Sequence, residues 1–159
     1  MKKAVLICFV ASFSMLVSAQ RYTAKDHLSP LEKLNDEYCT GAFKSCDGFI
    51  IDLTNDNESA LSYLNVLSWL QGRVAGLQIY YTRDNTPVPF IRNSRATIFV
   101  DEELVNPSFL NDLPVADIAM IKIIKGPFVG AIGNGGGGTI AIYTLKGDDD
   151  GDEDDVVLR

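Results

Sequence analysis

The sequence predicts an α+β fold, a small mixed β-sheet with one main helix packed on it. Three observations carry this. Short runs between residues 77 and 145 alternate apolar and polar positions or are β-branched, which is the pattern of strands. One run, 58–71, spaces its apolar residues as a helix does. The two element types are interleaved with no internal repeat, as in a sheet covered by helix.

Residues 20–37 are polar and are expected to form an extended or poorly fixed lead-in. Asp47-Gly48 is a turn signal, and Phe49, Ile50, Ile51, Asp52 and Leu53 after it read as a short strand. Asn55, Asp56 and Asn57 are candidate N-caps, with Asn55 and Glu58 at capping-box-like spacing. The helix over 58–71 presents Ala60, Leu61, Leu64 and Leu67, widened by Tyr63, Val66, Trp69 and Leu70. Gly72 suits the position just beyond its end.

Strands are predicted over 77–81, 88–92, 97–100, 118–125 and 139–145. Pro87 and Pro89 make the second an edge or irregular strand. In the fourth, Lys122 faces away from Ile121 and Ile123. Asp112 and Pro114 suggest an N-capped short helical turn before it.

The chain has 159 residues, 47% hydrophobic and 22% charged, which suits one domain with a core. The net charge of −7 argues against a nucleic-acid partner. A 22-stranded membrane barrel would need roughly 220 residues in strands alone. Lys2 and Lys3, the apolar run that follows and Val17-Ser18-Ala19 read as a signal peptide over residues 1–19, with an uncleaved anchor as the alternative. No later segment is long and apolar enough to span a bilayer as a helix. Export leaves Cys39 and Cys46 as a pair in an oxidising compartment, where a disulfide between them is expected. Two cysteines with only His27 to help do not complete a zinc site. The segment 148–155 holds seven acids in eight residues and begins an acidic tail, 148–159, expected to be disordered. The remaining body, 20–147, carries 11 basic and 14 acidic residues.

Three motifs invite chemistry. Residues 133–138 satisfy GxGxxG, but a strand pattern follows where dinucleotide binding needs a helix, so a tight glycine loop is the better reading. In EF-hand register the acidic tail puts Lys146 and Val157 at ligand positions and fails. Asp101, Glu102 and Glu103 are adjacent, so as strand residues their carboxylates diverge. No catalytic constellation, cofactor site or metal site is assigned, and the chain is not expected to be an enzyme.

Five strings, in order, carry a family signal. They are residues 70–79 (LQGRVAGLQI), 88–92 (VPFIR), 97–103 (TIFVDEE), 117–127 (DIAMIKIIKGP) and the glycine-rich hairpin 130–146. Together they resemble the plug domain of TonB-dependent outer-membrane receptors. Asn93 and Glu102 stand where that family usually has glycine. The resemblance covers residues 58–147, preceded by a lead-in and short strand over 20–57. In such receptors the plug sits inside a barrel and gates nutrient uptake.

What the resemblance implies here is a free-standing plug-like module, exported to the periplasm or outer membrane of a Gram-negative bacterium. It would dock on, or gate, an outer-membrane barrel or surface protein. A degenerate receptor fragment without activity is the alternative, and a small secreted hydrolase using residues 101–103 is a third. Docking residues are sought among the basic side chains Arg73, Arg92, Arg95, Lys122 and Lys125, with Arg73 and Arg92 the candidates for contact with partner carboxylates.

Overall fold

β-Branched residues at consecutive positions suit a strand that is covered on both faces. Two such strands, Ile118–Ile124 (β7) and Thr139–Thr144 (β8), form the centre of the molecule and are buried along nearly their whole length. The computed structural model describes residues 28–55, 58–128 and 136–146. The expected signal peptide and the whole of the acidic tail lie outside these residues.

β7 pairs antiparallel with β8 and, on its other side, with β1 (Phe49–Asp52). β8 runs parallel to β5 (Thr97–Val100), and β6 (Glu103–Val105) completes the order β1-β7-β8-β5-β6. A second sheet joins β2 (Leu77–Tyr81), β3 (Pro87–Ile91) and the short β4 (Ser94–Arg95) in that order. The fold is a mixed α+β structure.

The central sheet divides two cores. Ile98, Val100, Ile121, Ile123, Ile140 and Ile142 meet Val66, Leu67, Trp69 and Leu70 of one helix, α3 (Val66–Leu70), together with Leu77, Ile79 and Ile91 of the second sheet. The opposite face presents Phe99, Met120, Ala141 and Tyr143 to Cys39, Phe43 and Phe128. A register shift between Ile118 and Met120 places both Ala119 and Met120 in this second core, as a bulge does. Leu67 and Leu70 are fully buried, and each contributes about 1.5–3 kcal/mol of hydrophobic stabilisation.

The expected helix over 58–71 is two pieces, a 3₁₀ turn at Glu58–Ser62 and then α3. Asn65 explains the break. Its Oδ1 accepts from the Leu67 amide at 2.9 Å, which starts a new helix, and its Nδ2 donates to Asn111 at 2.7 Å. Leu64, expected on the apolar stripe, is 94% exposed in the connector. Gly72 does follow the C-cap Gln71, with φ of 78°.

The lead-in also differs. Instead of extended chain, residues 30–45 form α1 (Pro30–Tyr38) and α2 (Gly41–Ser45). Ser29 and Glu32 make a capping box, with Ser29 N donating to Glu32 Oε2 at 2.7 Å and Glu32 N to Ser29 Oγ at 3.3 Å. Pro30 fits the first helical position. These helices lay Leu34, Tyr38 and Phe43 over the second core. The helical turn near Asp112 is also present, but Asp112 ends one 3₁₀ turn (Pro107–Asn111) and Pro114 precedes another (Val115–Asp117), so Asp112 is not its N-cap.

Cys39 and Cys46 are free thiols, not the disulfide expected from the sequence. Each directly follows a helix, α1 and α2 respectively, and the helices give them different surroundings. Cys39 is buried in the second core beside the Tyr143 hydroxyl, and this burial raises its pKa. Cys46 is half-buried at the rim of a groove with Leu31 and Phe49. A maleimide at neutral pH should therefore modify Cys46 well before Cys39, and both in denaturant. Denatured, unreduced protein in which neither reacts would restore the disulfide.

Candidate functional site

Strand register decides which loops meet. Ile124 lies opposite Thr139, and the Thr97 amide donates to the Gly138 carbonyl at 3.0 Å. This brings Lys125, at the end of β7, together with Arg95, at the end of β4. The β3–β4 turn is joined to the α3–β2 turn by a bond from Arg92 N to Gly76 O at 3.1 Å. A methyl group at Gly138 would lie 3.3 Å from Ile91 and 3.4 Å from the Lys125 Cα. Arg73, Arg92, Arg95 and Lys125 thus belong to one end of the molecule.

The opposite end gathers acids. Leu145 N donates to Asp117 O at 2.8 Å, Asp101 N to Ile142 O at 2.9 Å and Leu53 N to Ala119 O at 2.9 Å. Asp52, Asp101, Glu102 and Asp117 therefore sit where β8 leaves the sheet.

The four basic groups are not equivalent. Arg73 folds back on α3. Its Nη1 donates to the Trp69 carbonyl at 2.5 Å, and its Cζ lies 4.8 Å from the Trp69 ring centroid and 5.8 Å from that of Tyr63. It closes a helix C-terminus and stacks on aromatic faces, with less of its fork left for a partner. Lys125 lies over the Phe49 ring at 6.0 Å. Arg92 and Arg95 are exposed, and neither side chain has a hydrogen bond or ion pair with the described residues. By contrast Lys44 pairs with Asp36 at 3.1 Å.

Lys122, sought among the docking residues, is only 2% exposed. Its Nζ donates to Asn35 Oδ1 and to Phe43 O, each at 2.6 Å, so it ties α1 and α2 to β7 and is not a surface charge. Alternation on β7 showed that it faces away from Ile121, but not that helices cover that side.

Asp101, Glu102 and Glu103, the residues of the hydrolase alternative, are placed by a hairpin. Asp101 and Glu102 form the two-residue β5–β6 turn with φ of 48° and 69°. The Asp101 carboxylate accepts from Thr144 N at 2.9 Å and from its hydroxyl at 2.8 Å. Glu102 accepts from Thr40 N at 2.6 Å, from the Thr40 hydroxyl and from Tyr143 Oη at 3.3 Å. Burial pushes the Tyr143 phenol far up, and its bonds with Cys39 and Glu102 push the same way. These carboxylates hold a turn against α2 and β8.

The two positions at which the resemblance leads one to expect glycine have one physical account. Asn93 and Glu102 both have positive φ, 68° and 69°. Asparagine tolerates that region, and Glu102 is held there by its bonds to Thr40.

Gly136, Gly137 and Gly138 lead directly into β8 and not into a helix, while residues 133–135 lie outside the described ones. Among the described residues no three His, Cys, Asp or Glu side chains converge as metal ligands, and no helix is long and apolar enough to cross a membrane.

No family model and no curated protein matches the chain. Solved structures similar to it include the RagAB peptide importer in its open-open state, at 19% identity and TM-score 0.48, covering 64% of this chain and 12% of that one. The closed-closed state of the same importer gives 21% and 0.46, covering 65% and 12%. A mutant of the ferric enterobactin receptor PfeA from Pseudomonas aeruginosa gives 19% and 0.48, covering 75% and 19%. The chain spans about an eighth to a fifth of the length of these structures.

Proposed function

We propose that the chain is a non-enzymatic, exported plug-like module of the Gram-negative cell envelope. In this reading it docks on an outer-membrane barrel or surface protein through its basic end. The observation that carries the docking surface is the pair of exposed guanidinium groups, Arg92 and Arg95, which have no hydrogen bond or ion pair among the described residues, with Lys125 at the same end. Guanidinium groups bind carboxylates in bidentate fashion, and the inner walls of outer-membrane barrels are polar. The five ordered strings that resemble a plug supply the choice of partner. Arg92 keeps the contact role expected from the sequence, and Arg73 shapes the turn beside it.

Crosslinking of the tagged chain in outer-membrane preparations tests this. The wild type should crosslink to a barrel protein identified by mass. Arg92→Ala with Arg95→Ala should lower the yield about tenfold or more, since an unpaired partner carboxylate is left behind, with an unchanged melting temperature. Arg73→Ala should instead cost about 1 kcal/mol of stability through the lost cap and stacking. Equal capture by the Arg92/Arg95 variant at matched salt would remove the docking surface. Absence of any barrel partner for the wild type would leave the inactive-fragment reading in its place.

A further inference from the structure

We propose that the cleft where β6 parts from β5 binds a small carboxylate carried on an apolar group. Pairing of the two strands ends with Ile98 opposite Val105. Pro107 has no N–H to continue the ladder, and the chain turns off there into the 3₁₀ turn Pro107–Asn111. A cleft of about 260 Å³ opens between residues 95–98 and 104–107. Pockets for drug-sized molecules run to roughly 300–1,000 Å³, so this one suits a small acid or the last residue of a chain.

Three polar side chains line this cleft without a bond to any described residue. Thr97 is only 5% exposed, yet its hydroxyl has no hydrogen bond. Buried polar groups are normally satisfied, so this one marks a place where a partner is wanting. Asn106 is the N-cap of the 3₁₀ turn, but its side chain makes no cap bond. Register sets it one step beyond the pairing of Ile98 with Val105, and so beside Thr97. Arg95 is exposed and has neither hydrogen bond nor ion pair among the described residues. Guanidinium, amide and hydroxyl can all donate, which suits an anion. Arg95 is the one cation lining the cleft, which matches the single charge of a carboxylate better than a phosphate dianion. Leu104, 62% exposed, supplies an apolar wall for the group that carries the charge. The site goes beyond the docking reading and does not need it, because the cleft is complete within one chain. Arg95 is common to both, so an occupied cleft competes with docking.

Titration of the full chain, followed by backbone amide NMR shifts, tests the site with two acids, hexanoate and N-acetyl-glycyl-leucine. Each should bind about tenfold or more tightly than its uncharged amide, because the guanidinium contact is then lost. The shifts should centre on residues 95–98 and 104–106. Tighter binding of hexanoate would assign the cleft to free organic acids, and tighter binding of the dipeptide to the end of a chain. Arg95→Gln should weaken both acids about tenfold. Thr97→Val keeps the shape and removes only the hydroxyl. It should weaken binding severalfold while the melting temperature holds or rises, because no bond within the fold is lost. Acids and amides that bind equally within twofold, shifts centred elsewhere, or wild-type affinity in either variant would overturn the inference. If the acids bind while no barrel partner is captured, the cleft stands and the docking reading falls. Capture of a barrel protein without acid binding would do the reverse.

Discussion

Gly137→Ala should lower the melting temperature by roughly 10 °C or more, at several degrees per kcal/mol for a small domain. A Cβ at this position would lie 2.2 Å from the Arg95 carbonyl oxygen, 2.6 Å from its carbon and 2.6 Å from the Ser94 oxygen. All three are backbone atoms, so no rotamer change relieves the overlap. β4 and the start of β8 must separate, and the bond from Thr97 to Gly138 and the packing of Ile91 suffer with them. Overpacking commonly costs about 1–3 kcal/mol, and collision with backbone belongs at or above the top of that range. Gly136→Ala is the control. It has nothing within 4 Å and should stay within about 0.5 kcal/mol of wild type. Thermal melts followed by circular dichroism compare the two. A Gly137→Ala protein that melts with wild type would show that β8 does not need this approach.

Lys122→Ala is expected to destabilise by about 2–5 kcal/mol, through an unfilled cavity and stranded acceptors. The Lys122 stem is tightly packed, since a methyl group at Gly48 would lie 2.9 Å from its Cγ. Its ammonium serves Asn35 and the Phe43 carbonyl. With the side chain gone, that carbonyl remains next to a void. Lys122→Met restores most of the volume but none of the bonds, and should recover only part of the loss. Urea titration should order the proteins wild type, Met, Ala. Hydrogen exchange should show α1 and α2 losing protection before β7, because Lys122 fastens that layer to the sheet. Unchanged midpoints in both variants would contradict a tie between layers.

Much of this fold was legible from local pattern. β2, β5, β7 and β8 were each placed within a residue of their observed ends, because β-branched and alternating runs leave the chain little other choice. The break at Asn65 was not legible. Leu61 and Leu64 continue a helical stripe, and only the bond to Asn111, 46 residues away, shows why the chain is cut there. The capping box at Ser29 and Glu32 was written in the sequence and was hidden by the polarity of its surroundings, since a helix that covers a core with Leu34 and Tyr38 needs few apolar residues.

The basic end divides in the same way. That Arg73, Arg92, Arg95 and Lys125 are cationic follows from the residues themselves, whereas Arg92, expected to end a strand, turns with Asn93 at positive φ. That these groups share one end follows from the pairing of β7 with β8 and the approach of Gly138 to Ile91 and Lys125. That Arg73 is held on Trp69 while Lys122 is buried follows from packing across layers. The sequence by itself determined six of the eight strands and the sign of the charges, because these depend on neighbours within a few residues, while the short β4 and β6 are defined only by pairing with β3 and β5. The tertiary structure decided which charges remain available to a partner, because burial and pairing are set by contacts between segments far apart in the chain.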